Sequence, residues 1–307
     1  MKEKLCISFS GGKTSGMMTT KLLENYRDKY EILITFANTG EENEETLIFV
    51  NECDKYWQKK FNHSVVWLEA ITHMEHGKGQ TSKVVTFETA SRNGEPYEQF
   101  ISKEGIPSMA FPQCSERLKT FAINHYRKGC GFAKCKTAIG IRTDESRRRA
   151  SPKTVAKYNL VYPLLDWFES DKIDVNDFWE DMPFNLNLEE HQGNCKTCWK
   201  KSEKKLWLIA LEDPSKFDFN KRMENKFTEV KAAIAKVDLF GEHYTPRRFF
   251  RKHKTAQNII DEAQLCDEAT LRRKIKLDPD LDNGCSESCE PYQTDIEDEI
   301  IKIQKVT

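Results

Sequence analysis

No stretch of the 307-residue sequence approaches the roughly 18 consecutive apolar residues that a membrane-crossing helix needs. The opening residues, Met1-Lys2-Glu3-Lys4, run straight into Leu5-Cys6-Ile7-Ser8 without the apolar core and small-residue cleavage site of a secretory leader. The expectation is a cytoplasmic protein with no membrane partner. An excess of charge is missing too: 48 basic residues face 49 acidic ones for a net charge of −1, so affinity for a polyanion has to come from local clusters. Internal repeats and low-complexity linkers are absent. In a reducing compartment the ten cysteines point to thiol chemistry or metal ligation rather than to disulfides. The 18 Phe, 9 Tyr and 6 Trp supply an interior despite 32% charged residues, which excludes wholesale disorder.

Residues 4–10 form a short apolar run ending in Ser-Gly-Gly, and residues 14–26 carry Met17, Met18, Leu22 and Leu23 at helical spacing. A second apolar run, 31–37, precedes a long helix over 43–61, and 64–68 reads as a third strand. Closely spaced units of this kind predict a parallel sheet with crossover helices. Residues 73–111, with glycines at 77, 79, 94 and 105 and prolines at 96 and 107, read as a long excursion over the mouth of the site. A helix near 115–127, a fourth strand over 136–141 and a fifth over 159–165 follow, and from Val175 the pattern turns helical. The division expected is a nucleotide-binding α/β domain over 1–170 and a helical, cysteine-containing region over 171–307 packed on it, its last thirty residues loop-rich.

The segment Ser8-Phe9-Ser10-Gly11-Gly12-Lys13-Thr14-Ser15-Gly16 lies between a strand and a helix, where backbone N–H groups and the helix terminus can close on a phosphate. Its spacing is not that of the Walker loop. It resembles the SGGxDS loop of the PP-loop ATP pyrophosphatases, the adenine-nucleotide α-hydrolase superfamily, with Thr14 where that loop has Asp. Phe36-Ala37-Asn38-Thr39-Gly40 with Glu45-Thr46, then Ile139-Gly140-Ile141-Arg142-Thr143-Asp144, then Tyr162-Pro163-Leu164 with Trp167, resemble in the same order the motifs of the phosphoadenosine-phosphosulfate (PAPS) reductase family. The resemblance covers roughly residues 4–210. It implies a Rossmann-like (HUP-type) parallel sheet of about five strands with flanking helices, and a helical C-terminal extension. It further implies ATP or PAPS, with Mg²⁺, bound by Ser10, Gly11, Gly12, Lys13, Thr14 and Ser15, Asn38 and Thr39 near the nucleoside, and Gly140 and Arg142 near the adenine or phosphates. Arg142 offers a bidentate fork for phosphate oxygens, or serves as a structural ion pair.

The C-x-x-C of Cys195 and Cys198 lies in a turn before a helix, where two sulfurs can face one ion. The resemblance adds Cys114, whose following Arg and Lys match the segment that holds a [4Fe–4S] cluster in iron–sulfur members of the family. Cys285 offers a fourth ligand, or Cys285 and Cys289 pair with Cys195 and Cys198 round a zinc; unligated redox thiols are the third reading. Cys6 and Cys53 read as buried packing residues, and the thiol centre is expected beside the nucleotide, with the phosphate loop on a separate strand end.

Basic runs at 147–149, 200–205, 247–254 and 272–274 read as solvated faces or, with Phe249 and Phe250 interleaved, as a backbone-binding surface with stacking groups for a nucleic-acid acceptor. The functional reading is an ATP pyrophosphatase that adenylates an acceptor for sulfur transfer, with Lys13 and Arg142 acting on phosphates. The second reading is PAPS or adenosine-phosphosulfate reduction with Cys289 as nucleophile, and the third a nucleotide-binding regulator without catalysis. The partners expected are an adenine nucleotide, a nucleic-acid acceptor, a sulfur-donor protein or thioredoxin-like reductant, and a second copy of the chain.

Overall fold

Leu5, Cys6 and Ile7 are completely buried in strand β1 (Glu3–Ser8), as an apolar run covered on both faces by helices should be. The computed structural model describes residues 2–75, 77–109, 111–230, 247–277 and 291–292. After β1 come α1 (Lys13–Tyr26), β2 (Tyr30–Asn38), α2 (Glu44–Phe61) and β3 (Val65–Thr72). Strand β4 (Gln80–Val85), helix α3 (Glu95–Glu104), a π turn (Glu116–Thr120), α4 (Phe121–Gly129) and β5 (Lys136–Ala138) follow. Then come α5 (Pro152–Tyr158), β6 (Leu160–Val161), α6 (Pro163–Asp166) and α7 (Lys172–Glu180), and last α8 (Glu203–Glu212), α9 (Asp218–Phe227), α10 (Ala256–Ala263) and α11 (Glu268–Leu277).

The sheet has six strands in the order β4-β3-β2-β1-β5-β6, all parallel except β4, which runs antiparallel to β3. From β1 the chain builds outward to β2 and β3, then returns to the other side of β1 with β5. That reversal opens a crevice beyond the carboxyl ends of β1 and β5, where open α/β sheets take their ligands. The α/β architecture is the one expected, with one strand more. The expected excursion over 73–111 contains β4 and α3: glycines 77 and 79 turn the chain back on β3, and only Val85 of β4 is buried, so no apolar run betrays the strand. The expected fifth strand shrinks to two residues, because Pro163 starts a helical turn there.

One apolar cluster joins the sheet to α1, α2 and α7. In it Phe9 meets Trp57 edge-on at 5.0 Å and Phe49 meets Trp179 at 4.7 Å. A second cluster is shared between Phe100, Ile101 and Leu118 on one side and Leu206, Ile209, Phe217, Met223, Ile259 and Ile260 on the other. It seats α8, α9 and α10 on α3 and the π turn, and so carries the chain before α8, residues 193–201, over the crevice. No helix among the described residues is long and apolar enough to cross a membrane.

Trp179 binds this arrangement to the crevice, since its Nε1–H donates to the Lys13 carbonyl at 2.8 Å and its ring covers Gly16. Trp179→Ala is expected to cost about 3–5 kcal/mol of unfolding free energy, read from urea denaturation; a loss below about 1 kcal/mol would contradict this packing.

Candidate functional site

Between β1 and α1 the chain turns at Gly11, whose φ of +82° and whose neighbours Thr46 and Phe36 leave no place for a side chain: a Cβ would lie 2.8 Å from Thr46 Cγ2. Gly12 then stands at the N-cap of α1 with no side chain closing the helix, so the first amides are left for another acceptor. Ser15 stitches the loop together. Its Oγ receives the Ser10 N–H at 3.2 Å, lies 2.8 Å from Ser10 Oγ and donates to the Gly12 carbonyl at 3.1 Å. The Lys13 ammonium makes no hydrogen bond or ion pair among the described residues.

From the β5 side Gly140 approaches so closely that a Cβ would lie 2.9 Å from Ser15 Cα. Arg142, buried at 4% exposure, spans both readings of its role. Its guanidinium grips Asp144 through Nε at 3.0 Å and Nη2 at 3.2 Å, with Glu145 at 3.5 Å, while Nη1 donates to Thr14 Oγ1 at 3.0 Å. The arginine is thus an ion pair that also holds the phosphate loop.

At the end of β2 the Asn38 amide is fully engaged within the protein. It donates to Glu69 Oε1 at 2.7 Å and to the Ser91 carbonyl at 2.9 Å, and its Oδ1 accepts the Gly40 N–H at 3.1 Å. Its immediate work is to shape the loop that follows. There the buried Glu42 carboxylate accepts the Thr39 N–H and hydroxyl at 2.9 Å, with Lys119 Nζ at 3.9 Å.

The turn 193–201 docks on this loop. Asn43 N–H reaches the Asn194 carbonyl at 2.8 Å, Asn43 Nδ2 the Gly193 carbonyl at 2.8 Å, and Lys196 N–H the Glu41 carbonyl at 2.9 Å. The thiols are expected beside the nucleotide with the loop on a strand end of its own, and the contact is direct: Asn194 Nδ2 donates to the Ser10 carbonyl at 2.9 Å, so the phosphate loop and the thiol turn touch. Cys114, from the approach to the π turn, joins Cys195 and Cys198 in lining one cavity of about 40 Å³, together with Glu41, Lys119 and Trp199. Cys195 Sγ stands 3.9 Å from Glu42 Oε1. Burial pushes the Cys195 thiol well above its ordinary range, against the pull of the Lys119 ammonium, and Glu42 adds to the rise. Cys285 and Cys289 lie outside the described residues.

The fit of a metal centre is tested by the donors present. Three thiols share the cavity, and the buried Trp199 Nε1–H, from a lining residue, has no acceptor among the described residues. The described thiol, imidazole and carboxylate ligands gather in threes within 4.8 Å only at Glu189, His191 and Glu212. That trio already has its cation, since Arg272 lies 3.0 Å from Glu189 and 2.5 Å from Glu212. The cysteines stand wider apart than that.

Asn194 and Glu42 carried no sequence signal and acquire their positions only by long-range docking, whereas Lys119 is the lysine of the Cys114 segment. Glu41 is the least expected: burial pushes its carboxyl up to about 8, with the Lys196 ammonium at 3.8 Å opposing and Glu42 reinforcing the shift. The expected stacking surface is corrected. Phe249 and Phe250 are core residues at 1% and 3% exposure. Lys254 is paired with Glu203 and Glu262, and Arg149 with Asp166.

A profile of the phosphoadenosine phosphosulfate reductase domain matches residues 4–175, which include the phosphate loop, Cys114 and Arg142 and stop short of Cys195. The chain is similar, at 28% identity over 290 residues, to an uncharacterized nin region protein of Escherichia phage lambda, the match covering 93% of this chain and 94% of that protein. It is also similar, at 26% identity over 170 residues, to an uncharacterized protein of Methanocaldococcus jannaschii, over 53% of this chain and 33% of the archaeal protein.

A buried carboxyl raised to about 8 binds a proton in the folded state that the unfolded chain has already released, so its contribution to stability falls as pH rises between those two pKa values. Glu41→Gln, which keeps the shape and removes the ionisation, is expected to gain on the wild type in denaturation midpoint between about pH 5 and pH 8. Parallel midpoints across that range would show that Glu41 titrates normally.

Proposed function

This chain belongs to the phosphoadenosine phosphosulfate reductase domain family, within the PP-loop ATP pyrophosphatase superfamily, and we propose that it is a cytoplasmic adenylating enzyme that splits ATP to AMP and pyrophosphate in preparation for sulfur transfer. The observation that carries this reading is the contact between an intact phosphate loop, with a free lysine, and a turn bearing two of three clustered thiols. A loop built for a triphosphate and a set of sulfur ligands in contact with it suit a reaction that activates an oxygen and then replaces it.

Backbone amides of the loop and the Lys13 ammonium take the β- and γ-phosphates, with Mg²⁺ sharing their charge. An acceptor oxygen attacks the α-phosphorus; the new P–O bond forms as the bond to the bridging oxygen breaks, and pyrophosphate leaves with that electron pair. Arg142, fixed by Asp144, keeps Thr14 and the first turn of α1 in place through this displacement. A sulfur nucleophile then attacks the activated carbon of the acceptor, and AMP departs with its oxygen. Glu41, which holds a proton at neutral pH, lines the thiol cavity and is placed to exchange that proton with a sulfur nucleophile there.

The residues that would hold a metal centre are Cys114, Cys195 and Cys198. Their sulfurs do not all lie within 4.8 Å of one another, which suits a [4Fe–4S] cluster better than a single tetrahedral zinc. Such a cluster would supply iron able to bind and present sulfur. The acceptor we place first is a nucleic-acid base; of the basic runs, Arg147 and Lys252 are exposed to meet its backbone. The reductase alternative draws on the family and on Cys289, and predicts sulfite from PAPS.

The test is anaerobic purification with iron, sulfide and zinc analysis, followed by incubation with Mg–ATP and candidate acceptors. The expected result is pyrophosphate release that depends on Mg²⁺ and acceptor, abolished in Gly12→Asp, and visible cluster absorbance lost in Cys114→Ser, Cys195→Ser or Cys198→Ser. Orthophosphate as the sole product would overturn the adenylation, and sulfite from PAPS would move the protein to the reductase reading.

A further inference from the structure

We propose that Asn194 is a positioning residue that couples the phosphate loop to the thiol turn, so that a nucleotide at residues 10–15 and the exposure of Cys195 and Cys198 bias each other. The inference rests on the proposed nucleotide site and concerns how that site communicates.

Asn194 is 4% exposed and held at both ends. Its backbone carbonyl accepts the Asn43 N–H at 2.8 Å, fastening the turn to the loop after β2, while its side chain donates to the Ser10 carbonyl. Its carboxamide also lies over Gly12: a Cβ there would be 3.5 Å from Nδ2 and 3.8 Å from Oδ1. Whatever shifts Gly12 when phosphate oxygens settle on the amides of α1 therefore presses on the Asn194 side chain.

The next residue along the chain is Cys195. It forms an isolated bridge with Glu42, and its carbonyl accepts from the Lys201 ammonium. Gly193, at φ +56°, lets the chain turn sharply into the asparagine, so the turn 193–196 moves as a short, tightly bonded unit rather than as a slack loop. Displacement of Ser10 or Gly12 thus passes through one side chain to the backbone of Cys195. The same bond returns the effect, because coupling between two bound states is reciprocal. Thr39, in the loop to which the turn is fastened, lines the thiol cavity, which gives the unit a second wall in common with the sulfurs.

A turn braced by Asn194 against an occupied loop keeps its place over the cavity, so the nucleotide-bound state is the one in which Cys195 and Cys198, whether thiols or metal ligands, are shielded.

The experiment uses the full chain, purified anaerobically, and reads iodoacetamide modification of Cys195 and Cys198 by peptide mass spectrometry with and without saturating Mg–ATP, the exposed Cys130 serving as internal reference. Binding of Mg–ATP is followed separately by equilibrium dialysis. In the wild type Mg–ATP is expected to slow modification of the two cysteines by about fivefold or more, the lower end of typical coupling between sites, and to leave Cys130 unchanged. In Asn194→Ala, dialysis still shows bound nucleotide at saturation, and the ratio with and without nucleotide falls to within about twofold. Asn194→Asp, which keeps the shape and loses the Nδ2–H donor, is expected to behave the same way and replaces the alanine variant if that one does not fold. Bound Mg–ATP with unchanged cysteine rates in the wild type would overturn the coupling and leave the proposed function standing. Full protection retained in either variant would overturn the role of Asn194. Failure of the wild type to bind Mg–ATP at all would overturn the nucleotide site itself, and the coupling with it.

Discussion

The start of α1 is wedged where no side chain fits, and the rest of the site follows from that crowding. Gly11 abuts Thr46 and Phe36, Gly140 abuts Ser15, and Gly16 lies beneath the Trp179 ring. These three close approaches draw β2, β5 and α7 onto the first turn of one helix. That crowding fixes the direction in which the uncapped amides of α1 face, while Gly12, where a Cβ would meet nothing nearer than 3.5 Å, keeps room to shift on the Asn194 side.

Around this point the protein has buried an unusual density of charge. Glu42, Glu69, Lys119 and Arg142 are each 5% exposed or less, and every one has a polar partner. Glu69 collects the Asn38 amide, the Ser91 backbone and the Lys83 ammonium, and so fixes the end of β3 against the end of β2. Glu41 is the group for which burial outweighs the nearby cation, and it stays neutral. Desolvation is the largest cause of the rise in its pKa, and the neighbouring Glu42 carboxylate adds to it.

The sequence revealed the sheet where residues buried on both faces had to be continuously apolar, as in Leu5, Cys6 and Ile7, and revealed the phosphate loop where glycines and hydroxyls stand in fixed order between a strand and a helix. It concealed β4, because an edge strand with one buried residue needs no apolar pattern. It misrepresented Phe249 and Phe250, since two aromatics among arginines resemble a stacking surface whenever the helices that cover them are far away in the chain. Cys114 could be connected with Cys195 and Cys198 only through a family resemblance. Asn194 could not be found at all: nothing local marks an asparagine whose partner is the carbonyl of Ser10.

The second apolar cluster bears on where this fold can be divided. Phe100, Ile101 and Leu118 lie within the stretch that matches the family profile, yet the side chains that cover them come from α8, α9 and α10, beyond its end. A fragment cut at the limit of the match would present that apolar face to water, and uncovered apolar faces invite self-association. The unit that inherits is thus longer than the unit that is recognised: gene fusion or recombination at the family boundary would separate a half-core from its other half, whereas a breakpoint that keeps these helices with the sheet would carry the phosphate loop and its thiols together.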